Sequence, residues 1–182
     1  EQTVLNDMAE CWVLSDGKPG MSNQCIGLAE ALDVDFVVKI VRPRLPWRIL
    51  APPLWLSPLS APGADGDKVH PPWPKLLIAT GRQTVALSMA IKRASAGKTF
   101  TIQIQNPANS LSRFDLVVVP RHDEITGTNV LVTEGALHRV TSERLAREAE
   151  RFSPLLASLP RPLVAVLVGG SNRQYRFTRA GA

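Results

Sequence analysis

Residues 11–32 read CWVLSDGKPGMSNQCIGLAEAL, and the rest of the chain is organised around them. The run Cys11-Trp12-Val13-Leu14 is apolar throughout, as in a strand covered on both faces. The polar loop Ser15-Asp16-Gly17-Lys18-Pro19-Gly20 follows. Beyond it Met21, Cys25, Leu28 and Leu32 recur at helical spacing, with Ile26 and Ala29 beside them. Nucleotide-binding α/β domains begin with this order of strand, glycine-bearing loop and helix. The loop lies where a strand's carboxyl end meets a helix's amino end, so backbone N–H groups can face an anion. Glycine at 17 and 20 leaves no Cβ to block such a ligand. The spacing is neither G-x-G-x-x-G nor G-x-x-x-x-G-K-[ST]. Dinucleotide or P-loop binding therefore does not follow, and an ordinary strand-to-helix turn accounts for the loop equally well.

Outward from this unit the pattern repeats. Residues 35–41 (DFVVKIV), 75–79 (KLLIA), 114–120 (FDLVVVP) and 129–133 (NVLVT) read as further strands, and 99–105 (TFTIQIQ) alternates with a strand period. Gln103 and Gln105 share a face. Amides are costly to bury unpaired, so both are expected in solvent or hydrogen-bonded at the sheet's edge. Thr80-Gly81-Arg82-Gln83-Thr84 is the turn between strand 75–79 and a helix over 85–94. A guanidinium fork at a helix amino end suits a phosphate or carboxylate. Asn106-Pro107 ends strand 99–105. Arg121-His122-Asp123 lies just past strand 114–120, where residues of a parallel sheet line the ligand crevice. His122 beside Asp123 is a candidate acid/base pair, though sequence neighbours on an extended chain point apart and a lone loop histidine is more often a surface or structural residue. Glu134 follows strand 129–133 and is a candidate base, a helix cap or a rim charge. His138 closes that loop. Thr141 is expected to cap a helix over 142–152 with Leu145, Ala149 and Phe152 inward. Residues 163–168 (LVAVLV) read as a new buried strand, with Gly169-Gly170-Ser171-Asn172 as its turn. The expected organisation is a Rossmann-like domain over 1–152, a linker over 153–162 and the start of a second α/β domain over 163–182.

Composition narrows the classes. An apolar fraction of 45% in 182 residues supports a real core and excludes wholesale disorder. The net charge of +5 favours anionic partners, but the charges are scattered and no nucleic-acid module is present, so nucleic acid is not an expected partner. Cys11 and Cys25 fall on a buried strand and a helix face, as core residues of a reducing compartment. No Cys/His spacing implies a metal. No signal peptide and no membrane span is visible, which points to the cytoplasm. Residues 42–74 stand apart, with nine of the 15 prolines and three of the four tryptophans. Trp47, Leu50, Leu54 and Trp55 keep rough helical phase and predict a short helix within 45–59, with Pro52 and Pro53 kinking or ending it. This segment is either an irregular packing element or a patch for a protein or peripheral membrane partner.

The stretches VLSDGKPGMSNQCIGLAEAL, IATGRQT, TIQIQNP, FDLVVVPRHD, NVLVTEGALHRV and LVAVLVGGSNRQYRF together resemble the mitochondrial fission (elongated mitochondria) family of plants and its alpha-proteobacterial relatives, formerly a domain of unknown function. The resemblance covers most of the chain except 42–74. It implies a GT-B glycosyltransferase-like fold, of which this chain would carry the N-terminal Rossmann-like sheet with helices on both faces and the first strand of the second domain. On that resemblance Ser15, Asp16, Gly17, Lys18, Gly20, Asn23 and Gln24 belong to an acceptor-side loop. Thr80, Gly81, Arg82, Thr84, Gln105, Asn106, His122, Asp123, Glu134 and His138 line the same cleft. Gly169, Gly170, Ser171 and Asn172 face the diphosphate of a nucleoside-diphosphate sugar, with Arg82 or Arg173 beside it and Asp16 or Glu134 as base. The chain alone is not expected to be a competent transferase. The other implied role is that of a non-catalytic adaptor that recruits a dynamin-like or membrane-associated partner.

Overall fold

Each expected strand up to residue 133 is short, β-branched and bounded by a glycine, proline or polar turn, and each forms. The computed structural model describes residues 10–108 and 111–167. Six strands are present: β1 (Cys11–Ser15), β2 (Phe36–Ile40), β3 (Leu76–Thr80), β4 (Phe100–Ile104), β5 (Leu116–Pro120) and β6 (Val130–Thr133). All pair in parallel, in the order β2-β1-β3-β4-β5-β6. The helices are α1 (Pro19–Ala31), α2 (Arg82–Ala94) and α3 (Ser142–Leu156). This is a Rossmann-like α/β sheet.

Alternation along β1 splits the core into two layers. Trp12 and Leu14 pack with Leu77, Ala79 and the α2 residues Ala86, Leu87 and Ile91. Cys11 and Val13 pack on the other face with Ile78, Ile102 and the α1 residues Cys25 and Ala29. Both cysteines are free and buried. Burial pushes the Cys11 thiol up to about 12. It pushes Cys25 higher still, with the neighbouring Cys11 thiol adding to the effect.

Asp115 joins three elements. Its carboxylate accepts from Lys92 Nζ of α2 at 2.8 Å and from both the Thr101 N–H and hydroxyl of β4, each at 2.8 Å. Burial alone would raise its pKa, but these bonds outweigh it and hold the carboxyl below its ordinary value. Asp115→Ala is expected to cost about 2 kcal/mol at neutral pH, the worth of hydrogen bonds to a charged group. Because the folded-state pKa is depressed, that contribution is present above about pH 4 and is lost as pH falls through the folded-state value. Denaturant titration of the two proteins at pH 7 and pH 3 should show the gap closing in acid.

The structure departs from the sequence reading at four places. Residues 45–59 form no α-helix. They make a turn and two 3-10 turns, Pro52–Leu54 and Pro58–Ser60, because four prolines remove the N–H donors that an α-helix requires. Gln103 is neither solvent-facing nor at an edge. It lies in an interior strand, 1% exposed, with Nε2 donating to Ile104 O at 3.3 Å and Oε1 unpartnered. Helix α3 is capped by Thr141 Oγ1, which accepts from Arg144 N–H at 3.1 Å, but it runs on to Leu156, and Leu145, Ala149 and Phe152 stand exposed. Residues 163–167 form no strand and are exposed, since no neighbour among the described residues pairs with their backbone. Gly169, Gly170, Ser171, Asn172 and Arg173 lie outside the described residues. By contacts the chain forms two units, 1–140 and 141–182.

Candidate functional site

In an open parallel sheet the ligand crevice lies beyond the strand carboxyl ends, where the strand order reverses direction. Here β1 leads outward to β2 on one side, while β3 begins the run to β6 on the other. The reversal falls between β1 and β3, so the loop after Ser15 and the turn after Thr80 share the crevice. The two do meet. A Cβ on Gly81 would lie 3.7 Å from Asp16 Oδ2 and 3.5 Å from Met21 Cε, and Gly81 has φ +88. Sequence reasoning placed Met21 only on the helix, and its side chain proves to flank the crevice.

The β1–α1 loop is held from within. Ser15 Oγ lies 2.8 Å from Ser22 Oγ and accepts from Gly17 N–H at 3.2 Å. Gly17 has φ +83, where an L side chain is strained, and its Cβ would meet Ile40 Cγ2 at 3.0 Å. Asp16 accepts from Lys18 Nζ at 2.6 Å and from Lys18 N–H at 3.2 Å. The Asp16 side chain is 7% exposed and that of Lys18 73%, so an ammonium stands at the mouth over a sheltered carboxylate. Gly20 has open space where a Cβ would be, and Asn23 is exposed. Gln24 is buried, with Nε2 donating to Gly20 O at 3.4 Å.

The other sequence-selected residues divide. Thr80 Oγ1 donates to Ile104 O at 3.4 Å, and Thr84 Oγ1 donates to Thr80 O and Gly81 O at 3.0 and 2.8 Å, so both hydroxyls stabilise the turn. Arg82 reaches out of the turn, donating to Arg48 O and Leu50 O at 3.2 and 3.3 Å. Gln105, at the end of β4, has φ +69, an uncommon strained conformation of the kind that clusters at ligand sites. Asn106 Oδ1 accepts from Ala108 N–H at 2.8 Å. At the ends of β5 and β6, Arg121 is ion-paired with Glu134. His122 Nε2 stands 3.7 Å from Asp123 Oδ1, too far for a hydrogen bond. His138 lies apart. Its carbonyl presses against Gly27 in the middle of α1, and its Nδ1 accepts from Val140 N–H at 3.2 Å. Among the described residues no three His, Cys, Asp or Glu side chains cluster as a metal site, and no helix is long and apolar enough to cross a membrane.

The crevice therefore offers backbone at three glycine-bearing or strained turns and an exposed ammonium over the Asp16 carboxylate, with the Arg121–Glu134 pair at the ends of β5 and β6. That arrangement can hold a polar, anionic ligand. No solved structure matches the chain. Mitochondrial fission protein ELM1 of Arabidopsis thaliana is 27% identical to it, over 91% of this chain and 56% of the relative, so the chain spans just over half that protein's length. The profile of the family described as Mitochondrial fission ELM1 matches residues 19–182. On that match, which covers nine-tenths of the chain from the first helix onward, the chain belongs to the mitochondrial fission ELM1 family.

Proposed function

We propose that the chain is part of a GT-B-like nucleotide-sugar-binding protein, with the β1/β3 crevice as its acceptor side. The observation that carries this reading is the Asp16–Lys18 pair, seated at the switch point beside Gly81. Lys18 supplies charge to an incoming phosphate. Once its ammonium turns to the ligand, Asp16 is released to accept a proton from an acceptor hydroxyl. Glu134, held by Arg121, is the alternative base.

Calorimetric titration of the full-length protein with nucleoside diphosphates and their sugars, with and without magnesium, tests the reading. The expected result is saturable binding of one nucleotide sugar, weakened roughly tenfold or more by Lys18→Ala, the loss of one charge-assisted phosphate contact. Lys18 is exposed, so the substitution should leave the melting temperature within about a degree or two. A folded protein that binds none of the panel would sink the transferase reading.

The second reading, an adaptor, has its own support. Leu45, Ile49, Leu54 and Leu56 are 64%, 70%, 61% and 83% exposed on one short segment. The segment is fastened from beneath, with Trp47 Nε1 donating to Leu56 O at 2.7 Å and Trp55 Nε1 to Leu50 O at 3.2 Å. An aliphatic crest on an anchored base suits a protein or peripheral membrane contact.

A further inference from the structure

The inner side of segment 42–74 carries a second feature, at the opposite end of α2 from the crevice. A cavity of about 620 Å³ opens between Pro52, Pro53, Trp55 and Pro58 on one wall and Met89 of α2 on the other. Its volume falls within the roughly 300–1,000 Å³ of small-molecule sites. A second cavity of about 450 Å³ shares Pro58 and Arg93 with it and continues along Leu59, Ala90 and Ala94. The first cavity has mixed walls, with Lys92, Arg93, Ser112 and Arg113 beside the prolines and Trp55, and the second is lined mainly by apolar surface.

Three cations, Lys92, Arg93 and Arg113, line the first cavity. Lys92 is committed to Asp115. Arg93 and Arg113 are exposed and enter no ion pair among the described residues. The helix dipole accounts for a cation in the last turn of α2, where Arg93 sits. It does not account for Arg113, which comes from a separate turn, Leu111–Arg113. Two guanidiniums in the mixed cavity, with Arg93 also bordering the apolar one, complement an anionic head joined to an apolar chain.

We propose that this pair of cavities binds a monomeric single-chain amphiphile with a carboxylate or phosphate head. The head sits between Arg93 and Arg113, and the chain lies along Pro58, Leu59, Ala90 and Ala94. The proposal is independent of nucleotide-sugar binding at the crevice, because it uses none of the crevice residues.

The test is calorimetric titration of the full chain with dodecyl phosphate, laurate and neutral dodecyl maltoside, each below its micelle concentration. Stoichiometric binding of either anion is expected, with little from the maltoside, and the tighter anion names the head. Arg93→Glu with Arg113→Glu should weaken it by roughly tenfold or more. The pair Arg93→Gln with Arg113→Gln, checked for an unchanged melting curve, should do the same if charge reversal perturbs the fold. Three results would overturn the proposal: no binding of either anion, equal binding of the maltoside, or anion binding indifferent to both double variants. Binding to phosphatidic acid vesicles without binding of the monomers would also overturn it, in favour of a membrane surface.

Discussion

Trp12→Ala is expected to destabilise the protein by about 3–5 kcal/mol, the cost of removing a large aromatic side chain from a packed core. Trp12 is fully buried in β1, an interior strand, between Val37 of β2 and Leu77 of β3. Its ring meets Trp73 edge to face at 6.1 Å, which draws the end of segment 42–74 onto the sheet. The ammonium of Lys39, itself only 7% exposed, stands 4.4 Å from the ring centroid. Truncation would therefore open a cavity, remove the anchor for Trp73 and take away the aromatic face beneath a buried cation. Trp12→Phe is expected to cost clearly less, because it keeps an aromatic ring and the indole N–H has no partner to lose. Thermal melts provide the comparison. At roughly 2–4 °C per kcal/mol for a chain of this size, the alanine variant should melt about 6–20 °C lower. A drop of only a few degrees for alanine, or equal drops for both variants, would show that the ring does not hold the core.

Gly27→Ala is expected to destabilise by about 1–3 kcal/mol, although alanine is the better helix former by about 1 kcal/mol. A Cβ at this position would lie 2.5 Å from His138 O, 2.8 Å from His138 C and 3.3 Å from Arg139 N. These are backbone atoms, so no rotamer change relieves the overlap. Neither partner is free to retreat. Helix α1 is packed on the sheet through Cys25 and Ala29, and the 138–139 backbone is fastened to the same helix by the Arg139 fork on Glu30. Gly20→Ala is the control, since a Cβ there has nothing within 4 Å. It should be neutral or slightly stabilising. Urea denaturation of the two variants should separate them by about 2 kcal/mol, and equal stabilities would mean that the 138–139 backbone yields.

Much of the fold was legible because its signals are local. The stretches DFVVKIV, KLLIA, FDLVVVP and NVLVT are each short, mostly apolar runs inside boundaries set by glycine, proline or a polar turn, and Thr141 caps its helix by bonding three residues ahead. Gln103 was misjudged because strand order is not local. Nothing within TFTIQIQ says that β3 and β5 will flank it and bury its amide on both sides. The helix expected in 45–59 failed for the opposite reason: apolar phase was weighed above prolines whose missing N–H groups decide the matter. Residues 163–167 have strand composition, but a strand forms only where a neighbour completes its ladder.

The crevice followed the same division. Strand ends, glycines at 17 and 81 and the charged residues near them could all be read from the chain, because turn chemistry depends on adjacent residues. Partner choice could not. Arg82 is spaced like a phosphate ligand, yet it holds carbonyls of Arg48 and Leu50, more than 30 residues away in sequence. Asp16 and Glu134 read as candidate bases, and each is held by a cation. By itself, then, the sequence determined the parallel α/β architecture, its turns and its family. Only the tertiary structure decided which polar groups face the crevice and which brace the fold, because a side chain's hydrogen-bonding capacity goes to whatever the packing of distant elements brings within about 3 Å of it.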